Sequence, residues 1–310
     1  MPERASARQV KRASGRRLFR VTAAGVLAMA LGGCRLALLD PAGPVGAGEK
    51  LILLDAVAVM LAIVIPTIVA TLAFAWWYRA SNPRARRLPD WSYSGRVELV
   101  VWSIPALVVM FLGGMAWVSS HDLDPAAPIP SQAKPLRVQV VSLDWKWLFL
   151  YPDQGVASVN RLVLPVGTPV RFQLTSGSVM TAFFIPRLGS MIYTMNGMVT
   201  PLNLRADRPG RYFGEASHFS GSGFSDMNFA VDVVTPAAFA AWASGARGAG
   251  PVLDDAAYEA LSRQSARVPP FTYRAFAPNL FDDIVLQRLP PGPGPQTESS
   301  DPPAPHSGGA

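Results

Sequence analysis

Residues 51–78 carry a single charged side chain, Asp55, and residues 97–118 carry a single one, Glu98. At about 1.5 Å of helical rise per residue these runs reach about 42 and 33 Å, against a hydrocarbon layer of about 30 Å. In lipid every backbone amide must be bonded within its own segment, so both runs are predicted to be membrane-spanning helices. Trp76, Trp77 and Tyr78 end the first, and Trp102 and Trp117 lie near the ends of the second, as interfacial aromatic belts do. Pro66 and Pro105 fall inside the runs and predict local kinks. Residues 79–96 join the two spans and hold five arginines (Arg79, Arg84, Arg86, Arg87, Arg96) against one acid, Asp90. Short arginine-rich loops stay on the cytoplasmic side. Everything after residue 118 is therefore expected on the opposite side.

The N-terminus points the same way. Residues 1–33 hold seven basic side chains and one acidic one, so of the chain's net charge of +7 only +1 lies beyond them. An apolar run over 21–31 follows the basic part, and then come Gly32, Gly33 and Cys34. A charged region, a short apolar region and a small-residue cleavage site make a secretory signal. Leu31-Gly32-Gly33-Cys34 resembles a bacterial lipobox, which implies cleavage after Gly33 and lipid attachment at Cys34. The plain alternative is a buried free cysteine beside a signal anchor. On the lipobox reading residues 1–33 are a signal peptide, residues 34–50 are periplasmic, and the chain sits in a bacterial inner membrane. Because the basicity belongs to the signal, nucleic acid is not an expected partner. One cysteine excludes a disulfide scaffold and a thiolate metal cluster.

Residues 119–135, rich in Pro and Asp, read as a linker. From 136 to 236 the text turns to short strand-like runs, at 136–143, 161–165, 170–175, 202–205 and 228–234, parted by Gly, Pro, Asn and Ser. Such spacing predicts a sandwich or small barrel. Residues 236–244 and 254–265 read as helices, and 237–289 form a helical and aromatic-rich segment whose part 268–289 is expected to pack on a partner. Residues 290–310 are Pro-, Gly- and Ser-rich and are expected to be a disordered tail.

Three segments carry a family resemblance. Val97-Glu98-Leu99-Val100-Val101-Trp102-Ser103-Ile104-Pro105, Ser142-Leu143-Asp144-Trp145-Lys146-Trp147 and Phe184-Ile185-Pro186-Arg187-Leu188-Gly189 resemble subunit II of the heme-copper respiratory oxidases. The likeness covers about residues 40–285. In detail the chain is similar to the quinol-oxidising branch, the cytochrome bo-type ubiquinol oxidases. The resemblance implies an α+β membrane protein, with a two-helix hairpin followed by a periplasmic cupredoxin-like β-sandwich. It also implies a proton-translocating complex that oxidises ubiquinol and reduces oxygen to water. Heme and copper are then expected in a partner subunit I.

In the cytochrome c branch this domain holds a dinuclear copper centre bridged by two cysteine sulfurs. The resemblance places its ligand positions at Thr181, Ala216, Ser220, Phe224 and Met227, of which Met227 alone keeps a ligand side chain. The expected reading is therefore a non-redox subunit that binds no cofactor itself. His218 lies between the two lost cysteine positions and reads as a surface or hydrogen-bonded histidine. In relatives the glutamate at the Glu98 position lies at the mouth of a proton-uptake channel, which makes Glu98 a candidate for that role. Trp145 and Trp147 match aromatic positions near the membrane face and are candidates for a place near the quinone. Two other functions stay open at this point: a cytochrome c oxidase subunit with a degenerate copper site, and a lipid-anchored periplasmic binding module.

Overall fold

The computed structural model describes residues 37–86 and 88–294, and the chain divides into two units, residues 1–40 and 41–310. In the first unit Ala37–Leu39 form one 3-10 turn, closed by the Asp40 amide on the Ala37 carbonyl at 3.2 Å. Cys34 lies outside the described residues, as do 295–310.

The second unit opens with two helices, α1 (Pro44–Trp77) and α2 (Gly95–Asp122). Both are long and apolar enough to cross a membrane, with mean hydropathy 2.7 and 2.2, and neither buries its apolar stretch within the chain. α1 starts seven residues before the apolar run that predicted it. Pro44 has its φ preset for the first helical position, where no intrahelical N–H bond is needed. Residues 44–50, expected to lie in a separate N-terminal segment before the span, thus belong to the helix. They are held by the domain: the Gly46 amide donates to the Leu188 carbonyl at 3.0 Å, and Glu49 Oε1 accepts from the Ser190 amide at 2.8 Å and hydroxyl at 2.6 Å. At Gly43 a Cβ would lie 2.1 Å from the Arg205 carbonyl oxygen, so only glycine lets the chain pass there.

The domain then runs β1 (Leu136–Leu143), β2 (Lys146–Tyr151), β3 (Val156–Val159), β4 (Arg161–Pro165), β5 (Pro169–Ser176), β6 (Thr181–Ile185), β7 (Gly189–Thr194), β8 (Thr200–Arg205), β9 (Gly210–Ala216) and β10 (Asn228–Val234). After these come α3 (Pro236–Gly248), β11 (Val252–Leu253), α4 (Asp255–Ser262), β12 (Phe271–Tyr273), β13 (Ala275–Phe276) and α5 (Leu280–Val285). Two sheets form the sandwich, in orders β12-β3-β2-β1-β5-β8 and β4-β10-β9-β6-β7. β1 pairs β5 in parallel, and β10 pairs β4 in parallel.

Burial explains why β2 reads as an unbroken apolar run after Lys146. Side chains alternate across a strand. Trp147, Phe149 and Tyr151 face the core between the sheets, with Phe172, Phe183 and Phe229. Leu148 and Leu150 face outward into a second cluster, with Val141, Tyr258, Tyr273, Leu280, Phe281 and Ile284. The aromatic-rich C-terminal segment therefore covers the outer face of the chain's own six-stranded sheet. It was expected to pack on a partner; the outward leucines and Val141 need the cover more. The tail expectation also changes. Residues 290–294 pack on the domain, with the Gly292 amide on the Gly177 carbonyl at 2.7 Å and the Gly294 amide on the Asp144 carboxylate at 3.1 Å.

Candidate functional site

β6, β9 and the loop 217–227 bring the five ligand positions to one region of the sandwich. Thr181 opens β6 and Ala216 closes β9, where Ala216 pairs in register with Phe183. The Ala216 amide donates to the Met227 carbonyl at 3.0 Å. The Ser220 hydroxyl points at the Met227 sulfur, 3.8 Å away. The Thr181 hydroxyl donates to the His218 carbonyl at 2.9 Å. Thr181, Ala216, Ser220 and Met227 are buried, and Phe224 is half-buried against Phe219 at 5.7 Å between ring centroids.

This donor set does not fit a dinuclear copper centre. Such a centre needs soft, deprotonated sulfur bridges and imidazoles. Here the five positions offer two hydroxyls, a methyl, a phenyl and one thioether, and a hydroxyl proton already faces that thioether. His218 packs edge-on against Tyr193 at 5.6 Å. Among the described residues no three His, Cys, Asp or Glu side chains come together as a metal site.

The two tryptophans part company. Trp147 is fully buried, edge-on to Phe183 at 5.3 Å and Phe229 at 5.6 Å. No surface of it is open to a quinone, so its placement corrects that expectation: it is a core residue. Trp145 is half-buried. Its indole N–H donates to the Ser220 carbonyl at 3.0 Å, and its ring lies over Gly223, where a Cβ would come within 2.2 Å of it. Glu98 stands in the first turn of α2 and is exposed, its amide on the Ser94 carbonyl at 3.0 Å.

Sequence reasoning missed Lys146, which lies 1% exposed in β2. Its three protons go to the Asp144 carbonyl at 3.0 Å, the Arg263 carbonyl at 2.7 Å and the Ser265 hydroxyl at 2.7 Å. Burial pushes its ammonium down to about 8, partly opposed by the Asp144 carboxylate. The folded state therefore releases this proton before the unfolded chain does, and between about pH 8 and the usual lysine range Lys146 adds stability as pH rises. The apparent melting temperature of the native protein, taken relative to Lys146→Met, should climb from pH 8 to 10. A falling difference would contradict the buried charge.

Residues 152–234 match the family described as cytochrome c oxidase subunit II, periplasmic domain, and residues 247–292 match the COX aromatic rich motif. Ubiquinol oxidase subunit 2 of Acetobacter aceti is 48% identical over 275 residues, covering 87% of this chain and 89% of that protein. Cytochrome bo(3) ubiquinol oxidase subunit 2 of Pseudomonas aeruginosa is 46% identical over 260 residues, covering 84% of this chain and 78% of the relative. A solved periplasmic domain of cytochrome oxidase subunit II from Bradyrhizobium japonicum is 27% identical, covers 39% of this chain and 98% of its own, and has a TM-score of 0.36.

Proposed function

The chain belongs to the ubiquinol oxidase subunit 2 family, and from that premise we propose that it is the non-redox subunit II of a proton-translocating terminal oxidase. Ubiquinol is the donor and oxygen the acceptor, and the complex sits in a bacterial inner membrane. The observation that carries this reading is the ligand set: Thr181, Ala216, Ser220 and Phe224 leave Met227 without a single thiolate or imidazole beside it. A heme-bearing subunit I holds the heme and copper. This chain contributes a membrane hairpin, a periplasmic domain and the contacts that assemble them. The arginine-rich loop 79–96 supports a cytoplasmic hairpin turn, and Cys34 is the proposed point of lipid attachment, which intact-mass analysis of the mature chain reads directly.

Glu98 is the proposed proton-uptake carboxylate. A carboxylate at a span's cytoplasmic end can collect protons from the aqueous side and release them inward. Glu98→Ala should slow ubiquinol oxidation severalfold, and Glu98→Asp should keep part of the native rate. The optical spectrum and subunit content should not change in either. Native turnover in the Ala variant at every pH would leave Glu98 as an interfacial residue only.

A further inference from the structure

The loop 217–227 (Ser-His-Phe-Ser-Gly-Ser-Gly-Phe-Ser-Asp-Met) has four serines, two glycines and no aliphatic side chain. Only Phe224 and Met227 bring apolar area to the core, and ordering the rest of the segment costs conformational entropy. Yet it holds a defined turn, with Phe224, Asp226 and Met227 amides bonded to the Gly221, Gly223 and Phe224 carbonyls at 3.0–3.1 Å. Thr181 grips it at the His218 carbonyl, and Trp145 grips its middle through Ser220 and Gly223.

Trp145 is itself in an unusual state. Its φ is +66°, a left-handed conformation that is rare for a bulky residue and persists only when its surroundings enforce it. The β1–β2 hairpin sets it, since the register pair Leu143 and Lys146 leaves only Asp144 and Trp145 to turn the chain, and both neighbours of Trp145 are tied to the C-terminal segment. Lys146 Nζ bonds the Arg263 carbonyl and the Ser265 hydroxyl, each at 2.7 Å. The Asp144 carboxylate accepts from the Gly294 amide at 3.1 Å and Gln264 Nε2 at 3.4 Å. The Ser265 amide returns to the Asp144 carbonyl at 3.3 Å, and Gln264 also bonds the Gly294 carbonyl. A second arm bypasses the turn: Arg267 Nε meets Asp226 Oδ2 at 3.1 Å, at the far end of the loop.

We infer that the C-terminal segment 263–294 acts, through the turn 144–146, as a clamp made of protein groups that sets the conformation of the loop 217–227. The segment and the loop are distant in sequence, but one set of hydrogen bonds joins them. The aromatic-rich motif then has a second task besides covering the sheet. It holds the loop that displays Phe219, 70% exposed. This inference does not depend on the donor that the complex uses.

Hydrogen–deuterium exchange on the purified complex tests it. Gln264→Ala with Ser265→Ala should speed exchange of the Phe224, Asp226 and Met227 amides by about tenfold, the scale of one lost hydrogen bond, while β5 and β10 keep their protection. Unchanged loop exchange beside a loosened C-terminal segment would overturn the clamp. Should the double variant lose protection throughout the domain, Trp145→Phe decides. It keeps a ring over Gly223 and removes the N–H to Ser220, so loop amides should speed with the C-terminal segment still protected. No change in the loop there overturns the inference as well.

Discussion

Trp147→Ala should cost the periplasmic domain about 3–5 kcal/mol, enough to lower its apparent melting temperature by roughly 10 °C or more. The indole is fully buried and is the largest such side chain in the domain. It stands edge-on to Phe183 and Phe229, which stack on each other at 5.2 Å, and Phe149 closes the group against Phe229, also at 5.2 Å. Aromatic pairs of this geometry add about 0.5–1.5 kcal/mol each beyond area burial. Its N–H also points to the Met227 carbonyl at 3.5 Å, so the cavity would open beside the ligand-position loop. A domain of ordinary stability, about 5–15 kcal/mol, has little margin for that loss. Thermal melts of the purified complex, followed by tryptophan fluorescence, check it. An unchanged melting temperature would contradict the enclosed position.

The second large effect lies in donor choice. The complex should oxidise ubiquinol at its full rate and show no turnover with reduced cytochrome c. An electron from a soluble donor needs a relay through this domain, and the relay's bridges would be cysteine sulfurs. Ala216 and Ser220 stand at those positions, and the chain's only cysteine is Cys34. Between the sheets lies closed aromatic packing. On the proposed function, ubiquinol dissolved in the bilayer would meet a membrane-embedded partner without crossing the domain.

Much of this architecture was legible in the sequence, for physical reasons that differ from element to element. The runs at 136–143, 161–165 and 228–234 coincide with β1, β4 and β10, whose apolar patterns and turn residues are local signals. The start of α1 was not legible, because residues 44–50 are held by Leu188 and Ser190, far along the chain. β2 was hidden by its two buried faces, which erase alternation, and by Lys146, a residue type that usually marks exposure. The ligand positions could be placed only through the family resemblance. The clamp was out of reach, since Asp144, Gln264 and Gly294 acquire their meaning from contacts more than 100 residues apart. Trp145 and Trp147 look alike in the text, two residues apart. The left-handed turn at Trp145 sends one to the loop and the other into the core.

Oxygen uptake by the purified complex, driven in parallel by ubiquinol and by reduced cytochrome c, with metal analysis of this chain after its separation from subunit I, tests the central claim most directly. A non-redox subunit II predicts uptake with ubiquinol, none with cytochrome c, and no copper retained by this chain. Uptake with cytochrome c, together with copper in this chain, would contradict it.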